Sequence, residues 1–111
     1  MKYEQLVVIQ GLDYKEKNDK KSFLQIFKRH GFRKPKIVGV VKTLPSKDEN
    51  GKTIKGTGGR KDLFFFINDK DIQKFSVWRL CYGMRWLEDI YYNNEQDIYP
   101  EEFRKKYPPR W

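Results

Sequence analysis

The chain is poor in residues that build disulfides and metal sites. Cys81 is its only cysteine and His30 its only histidine, which excludes an intramolecular disulfide and a multi-cysteine metal site. Cys81 falls in an apolar helical pattern, where we expect a small buried side chain. His30 falls at the end of a predicted helix, where its cationic form would interact favourably with the helix dipole. We expect no metal, no cofactor and no catalytic residue, and therefore no enzyme.

Long hydrophobic runs are missing as well. No apolar segment approaches the ~18 residues that a membrane span needs, and residues 1–4 contain no apolar signal core. We expect a cytoplasmic protein without a membrane partner. A chain of 111 residues has the length of one domain, so we predict a single domain over residues 1–111.

Acidic residues are the minority among the charged ones. The sequence contains 24 Lys and Arg residues against 15 Asp and Glu residues, a formal net charge of +9. Such an excess favours polyanionic partners, of which nucleic acid is the simplest. The alternative is a soluble basic protein whose lysines are merely solvated. Aromatic residues make up 16% of the chain and can supply a hydrophobic core.

Hydrophobic patterns predict an α+β fold. Short β-branched or aromatic runs indicate strands, and apolar residues at spacings of three and four indicate helices. The predicted strands are 6–9, 37–41 and 63–67, and the predicted helices are 20–30, 76–92 and a short one at 100–106. The order β-α-β-β-α predicts a small antiparallel sheet of three or four strands packed against two helices, as in a ferredoxin-like sandwich.

Residues 45–60 are polar and rich in lysine, and we predict a mobile basic loop there. Its end, Gly56-Thr-Gly-Gly-Arg-Lys, resembles loops that hold phosphate with backbone amides. In nucleotide-binding folds such glycines follow a strand and precede a helix, whereas these precede a strand, which argues against an ATPase or a dehydrogenase. Two interpretations remain: a loose nest for the phosphates of a nucleic acid, or a simple hairpin tip.

The predicted helix 76–92 carries aromatic and arginine residues on the side opposite its apolar face, including Trp78, Arg79, Arg85 and Trp86. Arginine beside aromatic rings can stack on bases or on a protein partner. The same rings could instead cover the sheet or hold the C-terminal tail. That tail, residues 107–111, contains two prolines, and we predict that it is extended and anchored by Tyr107 or Trp111.

The order of elements up to residue 92 resembles that of the RNA-recognition motif. Proteins of that family stack bases on aromatic residues of the first and third strands. This sequence has Arg60-Lys61-Asp62-Leu-Phe-Phe-Phe in the third strand, without the Gly-aromatic pair of the family motif, and its first strand lacks an aromatic residue. The resemblance implies a base-stacking role for Phe64 and Phe66, or for Phe65 on the other face.

A second resemblance covers residues 56–111. The motifs are Gly-Thr-Gly-Gly-Arg-x-Asp, Arg-Trp-x-Glu-Asp, Tyr-Pro-x-x-Phe and Lys-Tyr-Pro-Pro. With these motifs the chain resembles small uncharacterised proteins carried by bacterial phages and integrative elements. The resemblance implies an accessory role, and mobile-element proteins of this size include inhibitors of host defence nucleases, such as anti-CRISPR proteins.

We therefore expect a basic, non-enzymatic accessory protein that binds nucleic acid or a protein–nucleic acid complex. The alternatives are a protein inhibitor that occupies the nucleic-acid channel of a host nuclease and a metal-dependent nuclease. The expected binding residues are Lys47, Lys52, Lys55, Arg60, Lys61, Trp78, Arg79, Arg85 and Trp86. The sequence does not indicate the oligomeric state.

Overall fold

A computed structural model describes residues 5–81 and 83–109. The described chain forms one antiparallel sheet of four strands with four α-helices, which confirms the predicted α+β class. The elements are β1 (Leu6–Ile9), α1 (Glu16–Arg29), β2 (Lys36–Lys42), β3 (Lys61–Phe66), α2 (Ile72–Cys81), β4 (Met84–Trp86), α3 (Leu87–Tyr92) and α4 (Glu101–Lys106). Short 3₁₀ helices at Asp69–Asp71 and Gln96–Ile98 precede α2 and α4.

The strands lie in the order β2-β3-β1-β4, and every neighbouring pair is antiparallel. With chain order β-α-β-β-α-β, this is the arrangement of a ferredoxin-like sandwich. In the central pair, Val8 lies opposite Phe64. The two central strands are almost fully buried, so their apolar runs are continuous rather than alternating.

One face of the sheet packs against α1 and α2. Aromatic rings dominate this core, and Phe65 makes edge-on contacts with Phe23 and Phe27 of α1 at centroid distances of 5.1 and 5.4 Å. Phe75 of α2 lies 6.1 Å from the same ring. The rings of both helices therefore meet on β3, as the aromatic content predicted.

The other face is covered by residues 87–107, which we call the C-terminal layer. Tyr99 and Phe103 pack on Phe64 at centroid distances of 5.1 and 4.5 Å. Phe66 contacts Tyr107. The sheet is thus buried on both faces, and the rings that would stack bases in an RNA-recognition motif are covered by protein on either side.

Helix α1 begins four residues earlier than predicted. Lys15 is its N-cap, and the Asp19 carboxylate reaches back to accept from the Lys15 backbone N–H at 2.6 Å. The Asp19 side chain therefore provides an acceptor for the N–H group of the N-cap residue from within the first turn of α1. The predicted stop at Gly31 is confirmed, because the Gly31 and Phe32 N–H groups close the last turn onto Lys28 and Phe27.

The predicted helix 76–92 is wrong. Residues 72–81 form α2, β4 follows at Met84–Trp86, and α3 begins only at Leu87. Gly83 has φ +68, a conformation that glycine adopts readily, and it lies where the chain changes direction between α2 and β4. Met84 and Trp86 belong to β4, which pairs with β1. Each of them also lies at a helical spacing from other residues of the predicted helix, which is why the sequence pattern included them in it.

The remaining boundaries differ by two residues or fewer. Pro100 is the N-cap of α4 instead of its first residue. Asn68 caps the 3₁₀ helix before α2 by accepting from the Lys70 N–H, and Ser76 lies inside α2, where its hydroxyl donates to Ile72 O. The Cys81 side chain and Trp111 lie outside the described residues.

Candidate functional site

The predicted basic loop holds three exposed lysines, Lys47, Lys52 and Lys55, whose ammonium groups make no ion pair within residues 5–81 and 83–109. Its tip is a small hairpin in which Lys47 bridges Thr53. The Asp48 carboxylate accepts from the N–H groups of Asn50 and Lys52 at 2.9 Å. The loop presents its lysines on a hydrogen-bonded turn, and its mobility stays a prediction.

The glycine-rich end of this loop closes the hairpin. The N–H groups of Thr57 and Gly59 donate to carbonyls of Ile54 and Thr43, and the Arg60 N–H donates to the Thr43 hydroxyl. These amides are therefore not available to a phosphate. This geometry favours a hairpin tip over a phosphate nest.

Arg60 is held by a buried carboxylate. Its Nε and Nη2 donate to Asp62 at 2.8 and 3.0 Å, and this hydrogen bonding raises the pKa of Arg60. Asp62 is fully buried and also accepts from the Gly11 N–H at 2.9 Å and the Tyr99 hydroxyl at 2.7 Å. Burial and the bond to Asp62 raise the pKa of Tyr99. This cluster joins β3 to the end of β1 and to the C-terminal layer.

The aromatic residues of the predicted helix face pack inside the protein. Trp86 is only 9% exposed and lies 5.6 Å from Phe75. Trp78 is partly buried, with Phe27 and Phe32 at 5.4 and 4.8 Å. This arrangement corresponds to the interpretation in which the rings cover the sheet.

The two arginines of that predicted face each pair with a different carboxylate. Arg79 lies over the Trp86 ring at 5.5 Å and pairs with Asp89 at 3.8 Å. Arg85 donates to Glu95 from Nη1 at 3.1 Å, a bond that raises the pKa of Arg85 and lowers that of Glu95. Neither guanidinium is left without an acidic partner.

The predicted cations do not form one surface. Arg60 and Arg85 lie on the side of the C-terminal layer, where both act on Glu95. Lys61 alternates with the buried Asp62 along β3 and pairs with Asp13 at 3.4 Å, on the side of α1 and α2. Arg79 packs on Trp86, also on that side.

Residues 15–36 carry a denser positive charge than the predicted basic loop, and no site was predicted there from the sequence. Residues 15–36 contain nine Lys and Arg residues and two acidic residues. On α1, Lys17, Lys20, Lys21 and Lys28 are exposed, and their spacing places them on one side of the helix. The excess of Lys and Arg in this segment is visible in the sequence, but no motif accompanies these lysines to mark them as a site.

Two adjoining clefts connect Lys20 and Lys28 of this helix side to Lys34, which precedes β2. A cleft of about 440 Å³ is lined by Lys20 and Lys34 with residues 35–40. A second, of about 280 Å³, is lined by Leu24, Lys28, Phe32 and again Lys34. We call the combined surface the lysine face, and its members are Lys17, Lys20, Lys21, Lys28 and Lys34. Their ammonium groups have no hydrogen-bond or ion-pair partner in the described part of the chain.

The described residues give little support for a metal site, a catalytic histidine or a membrane span. No group of three or more His, Cys, Asp and Glu side chains there is placed to hold a metal ion. His30 is the C-cap residue of α1, and its ring lies 5.2 Å from that of Trp78, as a structural role predicts. No helix among the described residues combines the length and the apolar character of a membrane span.

Comparisons of the chain with protein-family models, with curated proteins and with solved structures found no match.

Proposed function

We propose that this protein binds nucleic acid through the lysine face. The observation that carries the proposal is a row of exposed, unpaired ammonium groups on one side of a helix. Elsewhere, Arg33, Arg60, Lys61, Arg79 and Arg85 are neutralised by nearby carboxylates. Free cations release counterions from a phosphate backbone, whereas cations already paired with acids must first exchange partners.

The dimensions of the lysine face suit a phosphate backbone. Lys17 and Lys28 are eleven positions apart on α1, which corresponds to about 16 Å along the helix axis. One strand of a duplex carries a phosphate every ~3.4 Å of axis, so this row can contact several phosphates. Among the described residues, no exposed aromatic ring lines the two clefts, and recognition by charge predicts binding with little sequence preference.

The test compares two variants that each lose three positive charges. One is K17Q/K21Q/K28Q on the lysine face, and the other is K47Q/K52Q/K55Q on the basic loop, the site that the sequence predicted. Fluorescence anisotropy with labelled single-stranded DNA, single-stranded RNA and duplex DNA is measured over a series of salt concentrations. For the wild type we expect affinity that falls steeply with salt.

The helix variant should lower the slope of log K against log salt by about 2 to 3, because each lost phosphate contact contributes ~0.7 to 0.9. The loop variant should change it by less than half as much. Absence of binding at low salt refutes the proposed function. An equal or greater effect of the loop variant refutes the lysine face as the interface and favours the loop.

Inhibition of a host nuclease stays the alternative prediction. Of the tryptophans on the predicted helix face, Trp86 is buried and Trp78 is partly buried against the core, which leaves less aromatic surface for a protein partner, although the same basic face could enter a nucleic-acid channel. Co-purification from a nuclease-treated host lysate separates the alternatives, because nucleic-acid binding is lost after the treatment and a bound protein is retained.

A further inference from the structure

Strand β2 lies at one end of the sheet order, with β3 as its neighbour among the described strands. The hydrogen-bond pattern of the sheet determines which N–H and C=O groups of β2 point towards β3 and which point away from it. Ile67 N–H donates to Gln5 O on the side of β1, so the odd-numbered residues of β3 bond towards β1 and the even-numbered ones towards β2. Thr43 N–H donates to Arg60 O, in agreement with this alternation.

The residues of β2 that pair inward are therefore those opposite the even-numbered residues of β3, namely Lys36, Gly39 and Val41. An irregularity between Ile37 and Gly39 inserts one residue. Ile37, Val40 and Lys42 consequently direct their N–H and C=O groups away from the sheet. These outward groups form no hydrogen bond with any residue that the structure describes.

This open edge lies along a groove. The cleft of about 440 Å³ runs past residues 34–40, with Tyr14 and Lys20 as its opposite wall, and Val40 is 36% exposed there. An edge strand of seven residues is long enough to pair with another strand, and proteins usually block such edges. The groove leaves room for an extended chain beside β2.

The charges around the β2 edge indicate which kind of partner segment can bind there. Lys34 and Lys36 stand at one end of β2, Lys42 at the other, and Lys20 also lines the groove; no carboxylate of a described side chain lines it. A second copy of β2 would bring lysines against lysines, which is unfavourable across a strand pair. Carboxylates on an incoming strand would instead meet unpaired ammonium groups.

We propose that the β2 edge binds an extended, acidic segment of a partner protein by strand addition. The backbone groups of Ile37, Val40 and Lys42 pair with the incoming strand, and its carboxylates lie near the flanking lysines. The proposal goes beyond nucleic-acid binding, since it depends on peptide groups of β2 and not on the helix lysines alone. The two sites adjoin at Lys20 and Lys34, so an acidic strand would compete with nucleic acid there.

The probe is a capped peptide of alternating Glu and Val residues, as long as β2. Titration is followed by amide NMR shifts and by hydrogen exchange. We expect saturable binding and slower exchange at the Ile37, Val40 and Lys42 amides. A peptide with alternate backbone nitrogens methylated should bind ~10-fold more weakly or worse, because its strand hydrogen bonds are lost. A peptide in which Gln replaces every Glu should also bind more weakly.

Val40→Pro removes an outward N–H without changing charge, and edge strands tolerate proline at such positions. This variant should lose peptide binding and keep nucleic-acid binding, with circular dichroism confirming the fold. The helix variant K17Q/K21Q/K28Q should keep peptide binding. Equal binding of the methylated peptide, equal binding of the Gln peptide, or protection confined to other amides overturns the proposal. Peptide binding without nucleic-acid binding refutes the proposed function and leaves this inference standing.

Discussion

Tyr99→Phe tests whether the buried Asp62 cluster stabilises the fold. The substitution removes one hydroxyl, which donates to Asp62 Oδ2 at 2.7 Å, and keeps the ring that packs on Phe64 and Phe103. A hydrogen bond to a charged group contributes ~1.5 to 3 kcal/mol. Because Asp62 retains its bonds from Gly11 and Arg60, we expect a loss in the lower half of that range, ~1.5 to 2 kcal/mol.

The measurement is urea unfolding followed by tryptophan fluorescence, to which the buried Trp86 contributes. The midpoint should fall with an unchanged m value, and the melting temperature should fall by about 6 to 8 °C. Tyr107→Phe is the matched control, because this ring packs on the same sheet face and no described residue bonds its hydroxyl. We expect less than ~0.5 kcal/mol there. Equal small losses in both variants would refute a stabilising role for the Tyr99 bond.

Three further outcomes follow from the structure. Gly58→Ala should destabilise the protein more than Gly56→Ala in urea unfolding, because both glycines have φ +82 but an added Cβ at position 58 would lie 2.4 Å from Pro45 N, with no neighbour at position 56; equal losses would contradict the close approach. Arg85 lowers the pKa of Glu95, so the wild type should exceed Glu95→Gln in stability at neutral pH, and the difference should begin to shrink as pH falls through about 4.5 and be lost only below the lowered pKa of Glu95; a pH-independent difference would exclude the ion pair as its cause. Asp71→Ala should cost about 2 to 3 kcal/mol in the same assay, since it removes the buried carboxylate that accepts from the Arg33 backbone N–H at 2.7 Å and from Arg33 Nη1 at 2.6 Å; a change below ~0.5 kcal/mol would contradict this.

The sequence was sufficient to predict the fold class because each central element carries a local signal. Leu6–Ile9 and the Phe64-Phe65-Phe66 run are apolar on both faces, as expected for strands covered on two sides. The C-terminal layer was harder to predict, since its aromatic residues come from short segments that have little periodicity. Its role depends on long-range contacts such as Tyr99 with Asp62, which no local pattern encodes.

The candidate site was predicted less well than the fold. Charge identifies a cation but not its partner: Arg60 pairs with Asp62, two residues away, and Arg85 pairs with Glu95, ten residues away. The lysines of α1 have no such partner among the side chains that the structure describes, yet their regular spacing resembles an ordinary solvated helix face. Which cations are free is decided by tertiary contacts, and only the structure shows them.

The C-terminal layer also constrains how the protein can be made. During synthesis, β1 to β4 leave the ribosome before residues 87–107 do, and domains generally complete their cores as units. Until Phe103 and Tyr107 emerge, the sheet face that bears Leu6, Val8 and Phe64 has no cover. A nascent or shortened chain that ends near Trp86 would therefore present an apolar sheet to its surroundings, and we expect such truncated forms to aggregate.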